Sequence, residues 1–559
     1  MAVNAACVWE VRSTATASNA NGGFFKTGAT GVDKSQSDTA FWALTGVITA
    51  GADAVLLHAD AHDDMVGNGV KVVSGTNFLV SWYEVISVVA GASITLDRNC
   101  TSAAGAAGVV NIGGALSLGA ANDGTAIAVA VAGNKFYIKS GAYNIGAATT
   151  FVNGAAASCI TVVGYTATRD DACTGDNRPL INMQASLWTG GFNNLFYNLR
   201  FTGTNTQVIT SSGRSKWFNV SVTNTSTAAG LNGFNVSTAG VMLTDCEFVS
   251  YRGNAIIFAT AATAYLHGCY IHDSNIGVAY GTGTGGSFFL NCIFADNVTT
   301  AFNATSTPNS MTSIVGCTFY GAENKLGTAV SIAASAFGVF LYNNIFYGFI
   351  TAITDANGAG TSFGNYNCLN NNTDNYVTFT AGANDITSPP VFTNVAQLIG
   401  STASLVLAVL NDAGANFSSV TDGVDFCQIK SGTGVTVIGK FLISSHTANS
   451  LTLSSNPGSS AVADKVYQVT TGHDFSVGSS VMALGFPSSF QAGLSTSYVD
   501  IGAVQRKERL STDPGISNVA NGVGYTINDA ALTGTLVSSA GASNQLSGLD
   551  YTVRVLIFR

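Results

Sequence analysis

The chain reads as an all-β protein: a stacked solenoid flanked by two copies of a small β-module, with a short β-rich segment at the C-terminal end. Three observations carry that reading. Eight segments in the middle of the chain recur every 21 to 27 residues, each with a small or turn-forming residue three places before an apolar one. They are Asn198/Phe201, Asn219/Val222, Asp245/Phe248, Gly268/Ile271, Asn291/Phe294, Gly316/Phe319, Asn343/Phe346 and Asn365/Cys368. Only 9% of the 559 residues are charged, against roughly 25% in soluble globular domains, so few solvated helix faces can be built. Runs rich in Val, Ile, Phe, Tyr and Thr are broken by Asn-Gly, Gly-Gly and Ser-Gly pairs, and no long stretch keeps a helical period.

Residues 1–45, with Trp9, Asn21-Gly-Gly23 and the polar run Asp33-Lys-Ser-Gln-Ser-Asp38, have too little periodicity for a core and read as an attachment arm. Residues 46–119 form the first module, and a shift of 357 residues lays them without a gap on the second module, residues 395–473. Ser74-Gly-Thr76 falls on Ser431-Gly-Thr433, Ser93-Ile-Thr-Leu96 on Ser450-Leu-Thr-Leu453, and Asn99 on Asn456. Apolar and polar positions alternate in both, as in a small antiparallel module. The two modules sit against the ends of the solenoid or side by side, and the pattern does not choose.

Residues 120–394 form the solenoid, whose coils bury their apolar faces only by stacking on one another. Its opening coils are Asn134-Lys-Phe-Tyr-Ile-Lys-Ser-Gly-Ala-Tyr143, Ile160-Thr-Val-Val-Gly-Tyr165 and Arg178-Pro-Leu-Ile181. These resemble a right-handed parallel β-helix of the pectin-lyase-like superfamily. A closing segment, residues 474–508, carries Asp474-Phe475, Gly478-Ser479-Ser480 and Tyr498-Val-Asp-Ile-Gly-Ala-Val-Gln505. It is similar to the end of many β-helix repeat proteins, with Ser480-Val481 where Pro-Ala is usual. Residues 509–559 return to β patterning and finish on the alternating strand Tyr551–Arg559, which reads as a cap or an oligomer contact.

Charge and cysteine usage exclude several functions. The net charge is −9 and no Lys/Arg cluster with interleaved aromatics occurs, so no nucleic-acid partner is expected. No run approaches the ~18 apolar residues of a membrane span, and the first residues lack the pattern of a cleaved signal peptide. Ten cysteines show neither C-x-x-C nor zinc spacing, so neither metal nor cofactor is expected. Cys246, Cys269, Cys292 and Cys317 fall two places before the ladder residue in successive coils, as a column of reduced, buried side chains.

β-Helices that cleave polysaccharides place charged groups on one outer face, and paired carboxylates are the pattern to seek. Asp273 and Asp296 occur two places after the ladder residue in adjacent coils, with His272 beside the first and Arg252 one coil earlier. These four are the candidate catalytic residues. The competing reading, which we favour, makes both Asp residues ordinary turn formers. His267 reads as a turn or surface residue, Asp170, Asp171, Asp176 and Arg178 as an acidic loop, and Asn367-Cys-Leu-Asn-Asn-Asn372 as an Asn ladder.

The stretch Val8-Trp-Glu-Val-Arg12, Asn21-Gly-Gly23, Gly31-Val-Asp33 and Ser35-Gln-Ser37 resembles proteins of tailed phages and prophages. That resemblance implies a virion structural protein, a spike or fibre on tail or capsid. It would touch host surface polysaccharide, pair with other virion proteins and assemble as a homotrimer on the particle surface. A polysaccharide depolymerase tailspike, hydrolase or lyase, and a capsid decoration protein without ligand are the alternatives.

Overall fold

The computed structural model describes residues 3–470 apart from 17–18, 119–126, 128, 172, 174–176, 227, 260–261, 281–285, 305–311, 322–326, 335–337, 358–360, 395–396, 424 and 437–438. Beyond them it describes 474–477, 502, 516–518 and 525–527. The centre is a parallel β-solenoid of about nine turns. Each turn contributes one strand to each of three sheets. The first sheet has twelve strands, from the N-terminal pair Cys7–Val11 and Phe24–Lys26 to Phe363–Asn365. The second runs through ten strands from Ala142–Asn144 to Cys368–Asn370, and the third through ten from Thr149–Thr150 to Asp374–Val377. Among the described residues no helix is long and apolar enough to cross a membrane.

The repeat in the sequence is the second sheet. Phe201, Val222, Phe248, Ile271, Phe294, Phe319 and Phe346 lie in register from strand to strand, all buried. The residue three places earlier is left-handed in every coil: Asn198, Asn219, Asp245, Gly268, Asn291, Gly316 and Asn343 have φ between 51 and 63°. Only Gly, Asn and Asp visit that region cheaply, which is why the repeat selects them. The last rung departs from expectation. Leu369 pairs with Phe346, Cys368 pairs with Ile345, and the left-handed residue is Tyr366. Asn365 instead uses its side-chain oxygen to accept from the N–H groups of Tyr366 (3.0 Å) and Asn384 (2.8 Å), so the turn moves by one residue.

The cysteine column is present: Cys246, Cys269, Cys292 and Cys317 are free thiols and buried. Burial holds the thiols of Cys246, Cys269 and Cys292 far above their ordinary pKa, so they stay protonated. The same column continues as an Asn ladder. Asn344 Oδ1 accepts from Cys317 N (2.9 Å), and Asn367 Oδ1 from Asn344 N (3.0 Å).

The two modules have one topology. In chain order, the first consists of Trp42–Val47, Val55–Leu57, Gly69–Phe78, Trp82–Val89, Ser93–Leu96 and Thr101–Ile112. The second consists of Gln397–Val406, Val409–Asn411, Phe426–Ser431, Gly439–His446, Ser450–Leu453 and Ser460–Thr470. In both, the spatial order is first, sixth, third, fourth, fifth, second. The second copy closes into a barrel by pairing its first two strands, whereas the first copy joins them through the single bridge Ile48↔Leu57. The shared Ser-Gly-Thr motif has a backbone cause: Gly75 and Gly432 stand at φ 138° and 135°, where a side chain is strained.

The modules are placed differently. Cys7–Val11, in the segment read as an arm, pairs in parallel with Lys135–Lys139 and begins the solenoid. Five residues are too few for periodicity to reveal a strand. Trp9 stacks on Phe136 (centroids 5.6 Å, 7°), and Trp82 of the first module meets Trp9 edge-on at 6.4 Å. Trp82, Phe24 and Leu116 thus join the solenoid core, and the first module plugs its N-terminal end. Glu10, fully buried, accepts from Arg12 Nε (3.0 Å), Arg169 Nε (2.8 Å) and the Tyr165 hydroxyl, tying the N-terminal strand to the second full coil.

The second module lies along the side, on the outer face of the second sheet. Phe392 packs edge-on against Tyr320 (5.8 Å) and Tyr347 (5.7 Å), and Ile399 joins Ala295 and Tyr320 in the same apolar cluster. Asp474–Val477 pairs antiparallel with Phe392–Asn394. Of the remaining closing segment, Gly502 N donates to Asn343 O (2.7 Å). The hairpin Ile516–Asn518/Tyr525–Ile527 is described in the last segment, and the strand read over Tyr551–Arg559 lies outside the described residues.

Candidate functional site

Because side chains alternate along a strand, the residues flanking the buried ladder point outward from the second sheet. Arg200 and Thr202 flank Phe201, Ser221 and Thr223 flank Val222, Glu247 precedes Phe248, and Tyr270 and His272 flank Ile271. From Tyr270 onward this face turns apolar and is covered by the second module. Before it the face is open. There Arg178, Leu180, Arg200, Thr202, Ser221, Thr223 and Glu247 line a trough of about 360 Å³.

The ionic groups in the trough are held in place. Arg178 is buried, and its Nη1 donates to the backbone and side-chain oxygens of Asn219 (2.9 and 3.3 Å). Its Nη2 lies 3.8 Å from Glu247 Oε2. Burial depresses the Arg178 pKa, with Glu247 opposing and nearby Arg200 adding to the depression. Arg200 Nε donates to Arg178 O (3.3 Å), which directs its side chain toward the N-terminal end. At the other end His272 sits between two carboxylates, Nδ1 2.7 Å from Asp273 and Nε2 3.1 Å from Glu247, its ring stacked on Tyr270 at 3.8 Å. Burial alone would lower its pKa; the two carboxylates outweigh that and raise it to about 9. At neutral pH His272 is therefore an imidazolium and cannot act as a base.

Of the four residues singled out from the sequence, the structure brings His272 and Asp273 together and places Asp296 one coil on, in register with Asp273. Both Asp residues are left-handed (φ 50° and 57°) and buried. Asp296 faces the second module: Lys430 Nζ is 3.4 Å from Oδ1, Gln468 Nε2 donates to Oδ2 (3.1 Å), and Gln428 Nε2 donates to the Asp296 carbonyl (3.1 Å). Asp273 and Asp296 thus serve a turn and a docking contact at positions that need Asn, Asp or Gly. Arg252 lies apart, in the turn after Glu247–Ser250, where its carbonyl accepts from Gly230 N (3.0 Å).

Sequence reading missed Glu247, Arg178 and Arg200. Its own register contained the signal, since Arg200, Glu247 and Tyr270 each stand one place before a ladder residue and so face outward. Asp170 pairs with Lys135 (3.0 Å) and accepts from Tyr137 (2.5 Å), while Asp171 accepts from Thr166, Ala167 and Thr168 N–H groups (2.8, 2.7 and 3.0 Å). Asp170 thus ties the loop to strand Lys135–Lys139, Asp171 serves its own loop, and Asp176 lies outside the described residues. His267 is half-buried on the first sheet, and burial lowers its pKa.

No family model and no curated protein matches the chain. Several solved structures are similar to parts of the chain at low identity. A PL6-family alginate lyase is 13% identical, with 46% of this chain and 38% of that one covered at a TM-score of 0.34. The α-1,3-glucanase catalytic unit of Streptomyces thermodiastaticus is 11% identical (62% and 89%, TM-score 0.28). A tailspike of the Acinetobacter baumannii bacteriophage Fri1, a capsular polysaccharide depolymerase, is 12% identical (60% and 79%, TM-score 0.27).

Proposed function

We propose that this chain is a β-helical spike or fibre on the surface of a phage particle, trimeric and held by other virion proteins, that contacts host surface glycan through the trough on its second sheet. One observation carries the reading. A rigid stack of coils presents Thr202, Ser221 and Thr223 hydroxyls between a guanidinium and a carboxylate, in an open trough several sugar units long. Saccharides are recognised by such convergent, pre-placed polar groups.

Binding without cleavage is the reading the charges favour. Glu247, the one trough carboxylate among the described residues, lies between Arg178 (3.8 Å) and His272 (3.1 Å), so its oxygens are already engaged by two cations. The depolymerase reading draws on the same residues, since a protonated His between two carboxylates beside a glycan trough also suits the part of a general acid. Incubation of the protein with capsular polysaccharide purified from the host separates the two. Retention of the polymer at full length, with binding lost in Arg200→Gln, is the expected outcome. Release of oligosaccharides by wild type but not by Asp273→Asn/Asp296→Asn would establish the depolymerase. A decoration protein without ligand would bind no glycan, and electron microscopy of labelled particles would place it on the capsid.

A further inference from the structure

We infer that the trough takes the end of a glycan chain and not its interior: a terminal sugar lies against the second module, and the rest of the chain runs toward the N-terminal end of the solenoid over Asn182 and Asn144. The inference rests on the proposed glycan-binding function and adds which part of the glycan is recognised. Its basis is a change of cover along one column of the second sheet. Asn144, Asn182, Thr202, Thr223 and Val249 pair in register, and His272, Ala295 and Tyr320 do so in the coils that follow. Each stands one place after a buried ladder position and so points outward. Asn144 is exposed and Asn182, Thr202 and Thr223 are partly so. Val249, His272, Ala295 and Tyr320 keep only 5%, 5%, 0% and 1% of their surface. From Tyr270 onward the second module supplies the cover, with Ile399 and Phe392 packed in the cluster that holds Ala295 and Tyr320.

The trough runs along the solenoid, because its lining comes from four successive coils: Leu180 from the first, Arg200 and Thr202 from the second, Ser221 and Thr223 from the third, and Glu247 from the fourth. A chain lying in it meets the docked module just past Glu247. It leaves only in the other direction, where the row of neutral polar groups continues. Asn182 Nδ2 donates to Asn144 Oδ1 (2.9 Å), which fixes the two side chains in line with Thr202 and Thr223. An amide both donates and accepts, as a sugar hydroxyl does, so Asn182 and Asn144 extend the contact row beyond the trough. From Glu247 to Asn144 is four coil steps, or about 19 Å. The interior of a polymer would have to bend away from the sheet at the module and lose the contacts at that end.

Calorimetric titration of the full-length protein tests this, with capsular polysaccharide purified from the host as the probe, both intact and cut by mild acid into size fractions. We expect each glycan chain to fill one trough whatever its length, and the affinity per chain to rise over the first few sugars and then stay level. Asn144→Ala/Asn182→Ala should weaken the longer fractions about tenfold, the worth of two neutral hydrogen bonds, and leave the shortest unchanged. Thermal melts check that the variant folds. Troughs filled in proportion to chain length, or long fractions bound as tightly by the double variant as by wild type, overturn the inference and leave the proposed function standing. No binding of any fraction, or binding that survives filling the trough floor with Thr223→Trp, overturns both.

Discussion

The two modules share a strand order and a docking face, yet one plugs the end of the solenoid and the other lies along its side. In each, the third and sixth strands pair through a polar couple: Lys71↔Asn111 in the first, Gln428↔Gln468 in the second, at positions related by the 357-residue shift. Each couple faces the rest of the molecule. Lys71 Nζ stands 3.4 Å above the Trp82 ring and Asn111 Nδ2 donates to Ala20 O (2.7 Å), while both glutamines donate to Asp296. Two substitutions separate the outcomes. Trp82, which enters the solenoid core, corresponds to Gly439, and Val73 corresponds to Lys430, which pairs with Asp296. A large aromatic suits the open, apolar end of a stack; a cation between two amides suits the polar edge of a turn. The duplicated barrel is therefore a neutral scaffold whose address is written by a few face residues.

That contrast breaks most readily at the plug. Trp82→Ala should destabilise the protein by about 5 kcal/mol, since a fully buried indole leaves a cavity beside Trp9. Urea unfolding measures it, and a loss under 1 kcal/mol would mean the first module is not part of the solenoid core. At the lateral dock, Asp296→Ala leaves Lys430 buried without its carboxylate and should cost about 4 kcal/mol. Adding Lys430→Met should recover most of that, because the desolvated charge is gone. Failure of the second change to rescue the first would show that the pair does not act as a unit.

The two docks should also differ in pH response. His272 beside the lateral dock has a folded pKa near 9 against 6.5 unfolded, so its contribution is fully present below pH 6.5 and lost as pH rises through 9. The loss is up to about 3 kcal/mol. His272→Gln should flatten the stability profile between those limits, and an unchanged profile would refute the bridged imidazolium. The smallest effects test the equivalence of the copies. Gly75→Ala and Gly432→Ala should each cost about 1–2 kcal/mol at their strained φ. Gly434→Asn, which copies the left-handed Asn77 of the first module, should also cost about 1–3 kcal/mol, because a Cβ there would stand 2.7 Å from the Ser459 carbonyl oxygen and the Ser460 Cβ.

The solenoid was legible because its periodic signal has a local cause. A left-handed turn in each coil demands Gly, Asn or Asp, and a buried rung three places on demands an apolar side chain, so stacking prints both demands on every coil. The duplication was legible for the same reason, with Gly75 and Gly432 recurring at one backbone geometry. The slip at Asn365 and the unrecognised strand at Cys7–Val11 mark the limit: a turn can move by one residue when a neighbouring side chain bonds differently, and five residues carry too little pattern.

What the sequence by itself determined is therefore local and repeated: coil period, turn residues, buried ladder, cysteine column and the strand pattern of two related modules. What only the tertiary structure decided is where those units meet. Asp273 and Asp296 have the same turn chemistry in the sequence, yet one bonds His272 and the other lies beneath Lys430, because a module more than a hundred residues away docks on one coil edge. Arg178, Arg200 and Glu247 become a trough only when four coils stack and the second module leaves that stretch uncovered. Periodicity constrains a residue's own coil; contacts between distant segments depend on the three-dimensional path of the whole chain, which no local pattern encodes.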